Sequence, residues 1–312
     1  MRIAILDDYQ SVAPAMADWS PLQGRADVTI FTDHESDEAA LATRLAPFDI
    51  LCVMRERTPL SRSLIERLPN LKLIASTGRR NAAIDVAAAT EHGIGVVHTG
   101  YSSTPTIEMT WALILAAQRH LIQESKSLRS GGWQQAVGGD LHGRTLGLLG
   151  LGNIGGAVAQ IARVFGMTAI GWSPNLTSDK AESVGAIAVS KAELFAKSDI
   201  LSIHMVLSQR SRDLVDASSI AMMKSTAWLV NTSRGPIVSE DAILDALQHR
   251  RIAGFAVDVY DTEPLPADHP FRTLDNVLAT PHMGYVTESL YRTFYGDTVR
   301  NIVAWLDERE GH

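Results

Sequence analysis

A chain of 312 residues with 46% apolar side chains is long enough for two globular domains with real cores. Its 28 basic and 35 acidic residues give a net charge of −7, and no cluster of Lys and Arg is present to neutralise a phosphate backbone, which argues against nucleic acid as a partner. The lone Cys52, inside the apolar run DILCVM, can neither form an internal disulfide nor complete a metal site, and no leader or run of about 18 apolar residues is seen, so a cytoplasmic protein without membrane contact is expected.

In chain order, short apolar runs alternate with helical patterns in two sets, which predicts parallel sheets covered by helices. The first set comprises RIAIL, VTIF, DILCVM, LKLIAS and IGVVH. A long apolar-rich segment from Thr104 to Arg129 follows, and then the loop SGGWQQAVGGD; this is where the chain is expected to cross into a second domain. The second set comprises TLGLLG, MTAIGW, DILSIH, AWLVN, AGFAVDV and NVLAT. A last helical pattern, Thr287 to Glu308, carries Leu290, Phe294, Val299, Ile302, Val303 and Leu306, and periodicity alone allows it to pack on either domain.

The second set opens with Gly150, Gly152 and Gly155 in G-x-G-x-x-G spacing, between a strand and an amphipathic helix. In that context the glycines allow a tight turn, close backbone approach to a pyrophosphate, and close packing of helix on strand. The helix opening at Asn153 and Ile154 would offer free N–H groups and its positive dipole end. The next strand ends GWSPN, with Ser173 where an NAD site usually carries a carboxylate, yet no Arg between Ser173 and Asp179 could hold a 2′-phosphate. Both NAD and NADP stay open.

Arg234 in NTSRGP, Glu263 in DTEPLP and His282 in TPHMG each follow a predicted strand. Singly they read as a solvated turn, a proline-bounded loop and a structural histidine. The carboxyl ends of strands in an open parallel sheet converge on one crevice, however. A cation, a carboxylate and a histidine meeting there supply what hydride transfer to a carbonyl needs: an orienting charge, a proton donor and a partner that holds the donor.

The segments GLLGLGNIGGAVA, NTSRGPIV, AVDVYDTEPLP and ATPHMGYVT resemble the D-isomer-specific 2-hydroxyacid dehydrogenases, which include phosphoglycerate and glycerate dehydrogenases. The resemblance implies a doubly wound Rossmann cofactor domain, residues 101–285, inserted in a flavodoxin-like substrate domain made of residues 1–100 and 286–312, so that the last helix returns to the first domain. It implies catalytic Arg234, Glu263 and His282. It puts Asp258 against the nicotinamide amide, with His204, Thr232 and Gly284 along the cofactor groove. The loop STGRRNAAID matches the family's substrate loop, with backbone N–H groups near Gly78 and Arg79 holding the substrate carboxylate. Departures are Val206 at a usual proline, Ser173 at the usual acidic position, and IEMT in place of the commoner AEHT.

The expected reaction is reversible reduction of a small 2-oxo acid to its D-2-hydroxy acid. In it His282 donates the proton, Arg234 clamps the carboxylate and carbonyl, and Glu263 orients the imidazole. Arg55 and Arg57 in VMRERTPL, with Arg79 and Arg80, read either as solvated loop cations or as a second anion site suited to a phosphoglycerate-type substrate. The alternatives are an NAD(H)-sensing binding protein like the corepressors that share this fold and triad, and phosphite dehydrogenase. Formate enzymes are expected to have Gln at the position of Glu263. The family also implies a homodimer through the segment from Thr104 and the SGGWQQ loop.

Overall fold

The computed structural model describes residues 1–311, which divide into two compact units, residues 1–102 with 286–311, and Ser103–Tyr285. The first unit holds five parallel strands, β1 (Arg2–Ile5), β2 (Asp27–Ile30), β3 (Ile50–Val53), β4 (Leu73–Ser76) and β5 (Gly95–His98), in the order β2-β1-β3-β4-β5. This is the flavodoxin-like winding. All four residues of β3 and all four of β4 are buried, as strands covered on both faces require, whereas the edge strand β2 is mostly exposed. Leu51, Val53, Ile74, Leu64 and Phe48 are among the residues of its core. The long C-terminal helix Glu288–Glu310 starts on a Thr287 side-chain cap and packs on β4 and β5 of this unit. Its inward face carries Leu290, Phe294, Val299, Ile302 and Leu306, while Val303 is only partly buried.

The second unit holds seven parallel strands: β6 (Thr145–Leu149), β7 (Thr168–Trp172), β8 (Ile187–Ala188), β9 (Ile200–Ile203), β10 (Trp228–Asn231), β11 (Gly254–Val257) and β12 (Val277–Ala279). Their order, β12-β11-β10-β9-β6-β7-β8, reverses direction between β6 and β9. That reversal is the point at which doubly wound sheets bind ligands, beyond the carboxyl ends of the strands. Buried side chains fill two clusters, one around Phe195, Leu229 and Phe255 and one around Leu146, Val158 and Val230.

Two local features differ from the sequence expectation. The two-residue edge strand β8 is too short to give a periodic signal. The segment Thr104–Arg129 is two helices, Thr104–Gln118 and Leu121–Arg129, because His120 takes a left-handed φ of 50° after the polar Gln118-Arg119 step. Cys52 lies inside β3, where burial pushes its thiol up to about 12 and leaves it protonated.

One buried polar cluster ties the loops at the carboxyl end of the first sheet. Asp7 is 2% exposed, accepts from the Thr58 hydroxyl at 2.6 Å and pairs with His34 Nδ1 at 2.9 Å. The hydrogen bond to Asp7 raises the His34 pKa against the opposing effect of burial. A raised histidine pKa stabilises the fold fully below the free value of about 6.5, and that stability is lost as pH rises through the folded value. Wild-type protein should therefore be more resistant to urea than His34→Asn at about pH 6, and the gap should close by about pH 9. A gap that is constant over this range would contradict the pairing.

Candidate active site

The glycine loop follows β6 at the reversal of the sheet. Gly150 has φ 101°, and a Cβ there would lie 2.5 Å from the His204 carbonyl oxygen. A Cβ on Gly155 would collide with the Gly150 carbonyl, so loop and helix can meet only without side chains at these two positions. Gly152, by contrast, faces open space. It also begins the helix Asn153–Val164 without a side-chain cap, so the first-turn N–H groups, including those of Asn153 and Ile154, have no helical acceptor. An open glycine beside uncapped N–H groups at the positive end of a helix fits a dinucleotide pyrophosphate.

The other predicted cofactor residues are placed less uniformly. Ser173 stands one residue past β7 and is partly buried. His204 stands one residue past β9; burial lowers its pKa to about 4, so it is neutral near pH 7, and its Nε2 lies 3.0 Å from the Ser202 hydroxyl. Thr232 is buried, and its hydroxyl lies 2.8 Å from that of Thr110 on the helix Thr104–Gln118. Asp258 is 1% exposed, and its carboxylate accepts from the Thr280 hydroxyl at 2.6 Å and from the Met283 and Gly284 N–H groups at 2.9 and 2.7 Å. Burial raises the pKa of this carboxyl while those hydrogen bonds oppose the shift. Sequence reading expects Asp258 to face a nicotinamide amide; in the structure its hydrogen bonds go to the loop carrying His282, and a Cβ on Gly284 would sit 2.9 Å from the carboxylate.

Glu263 and His282 meet directly, with His282 Nδ1 2.5 Å from Glu263 Oε2. An ionised carboxylate only accepts, so Nδ1 carries the hydrogen and Nε2 is the nitrogen left for proton transfer. The other carboxylate oxygen, Oε1, accepts from the Tyr260 N–H at 2.8 Å. The Tyr285 ring stands edge-on to the imidazole, with centroids 5.4 Å apart. His282 itself has φ 49°, a left-handed conformation costing about 1–2 kcal/mol for a residue with a Cβ. Such strain persists where surrounding contacts over-determine it. Arg234 reaches the same end of the sheet three residues past β10. Its loop is tied by Asn231 Nδ2 to the Arg234 carbonyl at 2.9 Å, and by the Ser233 hydroxyl to the Ile203 carbonyl at 2.8 Å.

In the first unit, Arg55, Gly78 and Tyr101 come together at the carboxyl ends of β3, β4 and β5. Arg55 also has a left-handed φ, 53°, and its backbone is held by the Thr77 hydroxyl at 2.8 Å and by Asn81 Nδ2 at 2.5 Å. Its guanidinium lies on Gly78, where a Cβ would collide with it, and 5.3 Å from the centre of the Tyr101 ring. Two expectations are modified here. The Gly78 N–H is donated to the Thr99 hydroxyl at 2.7 Å and so is already used. The Arg57 guanidinium is turned inward, donating to the Asp7 carbonyl at 2.6 Å and to the Tyr291 hydroxyl at 3.2 Å. Arg79 and Arg80 are exposed.

Sequence reasoning misses Tyr260, Asn231, Ser233 and Thr280, which hold these loops; the one available signal is their adjacency to the strand-end motifs. Among the described residues, no group of three His, Cys, Asp or Glu side chains is arranged to hold a metal ion, and no helix is long and apolar enough to cross a membrane.

Comparison with known proteins agrees with this architecture. Residues 111–284 match the family model described as D-isomer specific 2-hydroxyacid dehydrogenase, NAD binding domain. The chain is 38% identical over 271 residues to a D-3-phosphoglycerate dehydrogenase of Methanocaldococcus jannaschii, covering 86% of this chain and 51% of that protein. Thus it spans about half the length of that relative. A hydroxypyruvate reductase of Thermotoga maritima is 36% identical, with 87% of this chain and 89% of the relative covered. The crystal structure of a phosphoglycerate oxidoreductase from Vibrio cholerae O395 superposes with a TM-score of 0.94 at 42% identity, over 99% of each chain. With the family model matched over residues 111–284 and a relative 36% identical over most of both chains, on a fold with the glycine loop at the sheet reversal and a His282–Glu263 pair past later strands, the chain belongs to the D-isomer-specific 2-hydroxyacid dehydrogenase family.

Proposed function

We propose that this protein reversibly reduces a small 2-oxo acid to the D-2-hydroxy acid. The observation that carries the reading is the short hydrogen bond between His282 Nδ1 and Glu263, 2.5 Å, which fixes the imidazole and leaves Nε2 for the substrate. When bound, the reduced nicotinamide supplies hydride to C2 of the substrate. As the carbonyl bond opens, the charge developing on oxygen is met by the proton on His282 Nε2, and the imidazole becomes neutral until it takes a proton from water. Arg234 pairs with the substrate carboxylate and faces the same oxygen, where a fixed guanidinium stabilises the growing charge more than water could. Gly150, Gly152 and the N–H groups of Asn153, Ile154 and Gly155 hold the pyrophosphate of the cofactor. NAD and NADP both remain compatible with Ser173, which neither repels nor pairs with a 2′-phosphate.

The substrate proposal rests on Arg55 rather than on Arg57. The Arg55 guanidinium lies against Gly78 and Tyr101 at the end of the substrate loop and can fork onto a carboxylate or phosphate. Arg79 contributes backbone N–H in the same loop. This loop supports an acid with a second anionic group, of the phosphoglycerate type, over 2-oxo acids that have no anionic group besides the carboxylate at C1. A spectrophotometric screen of 2-oxo acids with NADH and NADPH identifies substrate and cofactor together. His282→Ala should lower kcat by about 10² to 10⁴ with cofactor affinity intact, and Arg55→Ala should remove the preference for a second anion. Near-normal turnover by His282→Ala would overturn the assignment.

We also propose that the protein works as a homodimer in the cytoplasm. The helix Leu121–Arg129 buries none of its residues, and Leu121, Ile122, Leu128, Trp133 and Val137 are 52–96% exposed, a run of large apolar groups that calls for a cover. Light scattering should give twice the chain mass for wild-type protein and a monomer for Ile122→Glu combined with Trp133→Ser. A wild-type monomer would refute it.

A further inference from the structure

Tyr260 meets each of the three loops credited with chemistry. Its N–H donates to Glu263 Oε1 at 2.8 Å, and its hydroxyl donates to the Thr280 carbonyl at 2.7 Å. That same carbonyl accepts from the His282 N–H at 3.0 Å, and His282 Nδ1 returns to Glu263 Oε2 at 2.5 Å. The four bonds close into a ring that begins and ends on Tyr260. The loop of Arg234 abuts it as well, since a Cβ on Gly235 would overlap the Tyr260 carbonyl.

We propose that Tyr260 is a positioning residue for the reaction, its hydroxyl fixing the backbone of His282 while its N–H fixes the carboxylate that orients the imidazole. The side chain is 7% exposed, and its hydroxyl is engaged by the Thr280 carbonyl. Two constraints are needed because His282 has two freedoms to lose. The left-handed backbone at His282 must be held against its own strain, which falls to the Thr280 carbonyl bridging the Tyr260 hydroxyl and the His282 N–H. The ring must be held about its side-chain torsions, which falls to Glu263. Burial and the charges of Asp258 and Glu263 raise the Tyr260 pKa, so the hydroxyl stays a donor across the working range. The Tyr260 ring packs near Phe271, with centroids 6.4 Å apart, and a phenylalanine fits that space without supplying the donor.

This inference rests on the dehydrogenase reading, and its test separates the two. In the full-length protein, Tyr260→Phe, Glu263→Gln and the double variant are compared by thermal unfolding, NADH affinity, KM and kcat. A readout that needs no substrate is added: the low-field Nδ1–H proton resonance of His282 in protein labelled with 15N-histidine. Tyr260→Phe should keep cooperative unfolding and bind NADH and substrate within about twofold of wild type. It should lose about tenfold in kcat, the typical effect of one hydrogen bond, and its His282 resonance should move or broaden. On the Glu263→Gln background the side chain can no longer accept from the Tyr260 N–H and the His282 Nδ1–H together, and the same change should cost less than about twofold, the non-additivity expected of coupled groups. A 3-fluorotyrosine at position 260, which keeps both packing and hydroxyl, should restore turnover. An unmoved resonance, additive losses, or a fluorotyrosine as slow as phenylalanine would overturn the proposal. Absence of turnover by wild-type protein would instead overturn the dehydrogenase reading, while the resonance still reports on the ring.

Discussion

The parallel register of β10, β11 and β12 is the constraint on which the candidate site depends. Asn231 pairs with Val257 and Val257 with Ala279, so the last residues of three strands lie abreast. Whatever follows them must emerge on the same edge. Arg234, Glu263 and His282 follow those strands at short distances, and this alone brings to one edge groups that are up to 48 residues apart in sequence. Direct hydrogen bonds then fix what register only approximates. Asp258 gathers the Thr280–Gly284 loop onto the end of β11, Asn231 and Ser233 tie the Arg234 loop to β10 and β9, and Glu263 takes hold of the imidazole.

The same logic recurs in the first unit with different groups. Asp7 and Arg55 occupy left-handed conformations just past β1 and β3, each held by side-chain hydrogen bonds from neighbouring loops. Left-handed residues with a Cβ are costly, and these two lie just beyond strand ends, where a sheet of this winding presents ligands. The two units thus each spend hydrogen bonds on aiming a charged or titratable side chain. The helix Leu121–Arg129 and the Trp133 loop, by contrast, leave their large apolar groups exposed.

Much of this was legible in the sequence because it depends on local pattern. Fully buried parallel strands read as continuous apolar runs, and the glycine spacing between strand and helix carries its own steric reason. Arg234, Glu263 and His282 could be placed because each trails such a run. What could not be read depends on partners remote in sequence. That Asp258 also gathers the loop of His282, through the Met283 and Gly284 N–H groups, could not be read from its motif. Arg57 looks as free as Arg55 until Tyr291, from the far end of the chain, is found as its acceptor. Tyr260 carries no motif of its own, since its function lies in which carbonyl its hydroxyl reaches. The break at His120 is missed for a different reason: three polar residues, Gln118 to His120, are compatible with an exposed helical turn, and it is the left-handed backbone of His120 that stops the helix.

The central claim is that His282, held by Glu263, gives its Nε2 proton to the substrate oxygen while Arg234 holds the adjacent carboxylate. The most direct measurement is a crystal structure of the ternary complex with the cofactor and oxamate, an unreactive mimic of a 2-oxo acid. The account predicts the carbonyl oxygen of oxamate about 2.6–3.2 Å from His282 Nε2, with its carboxylate on the Arg234 guanidinium. An oxamate bound away from Nε2, or an imidazole released from Glu263 in the complex, would contradict it.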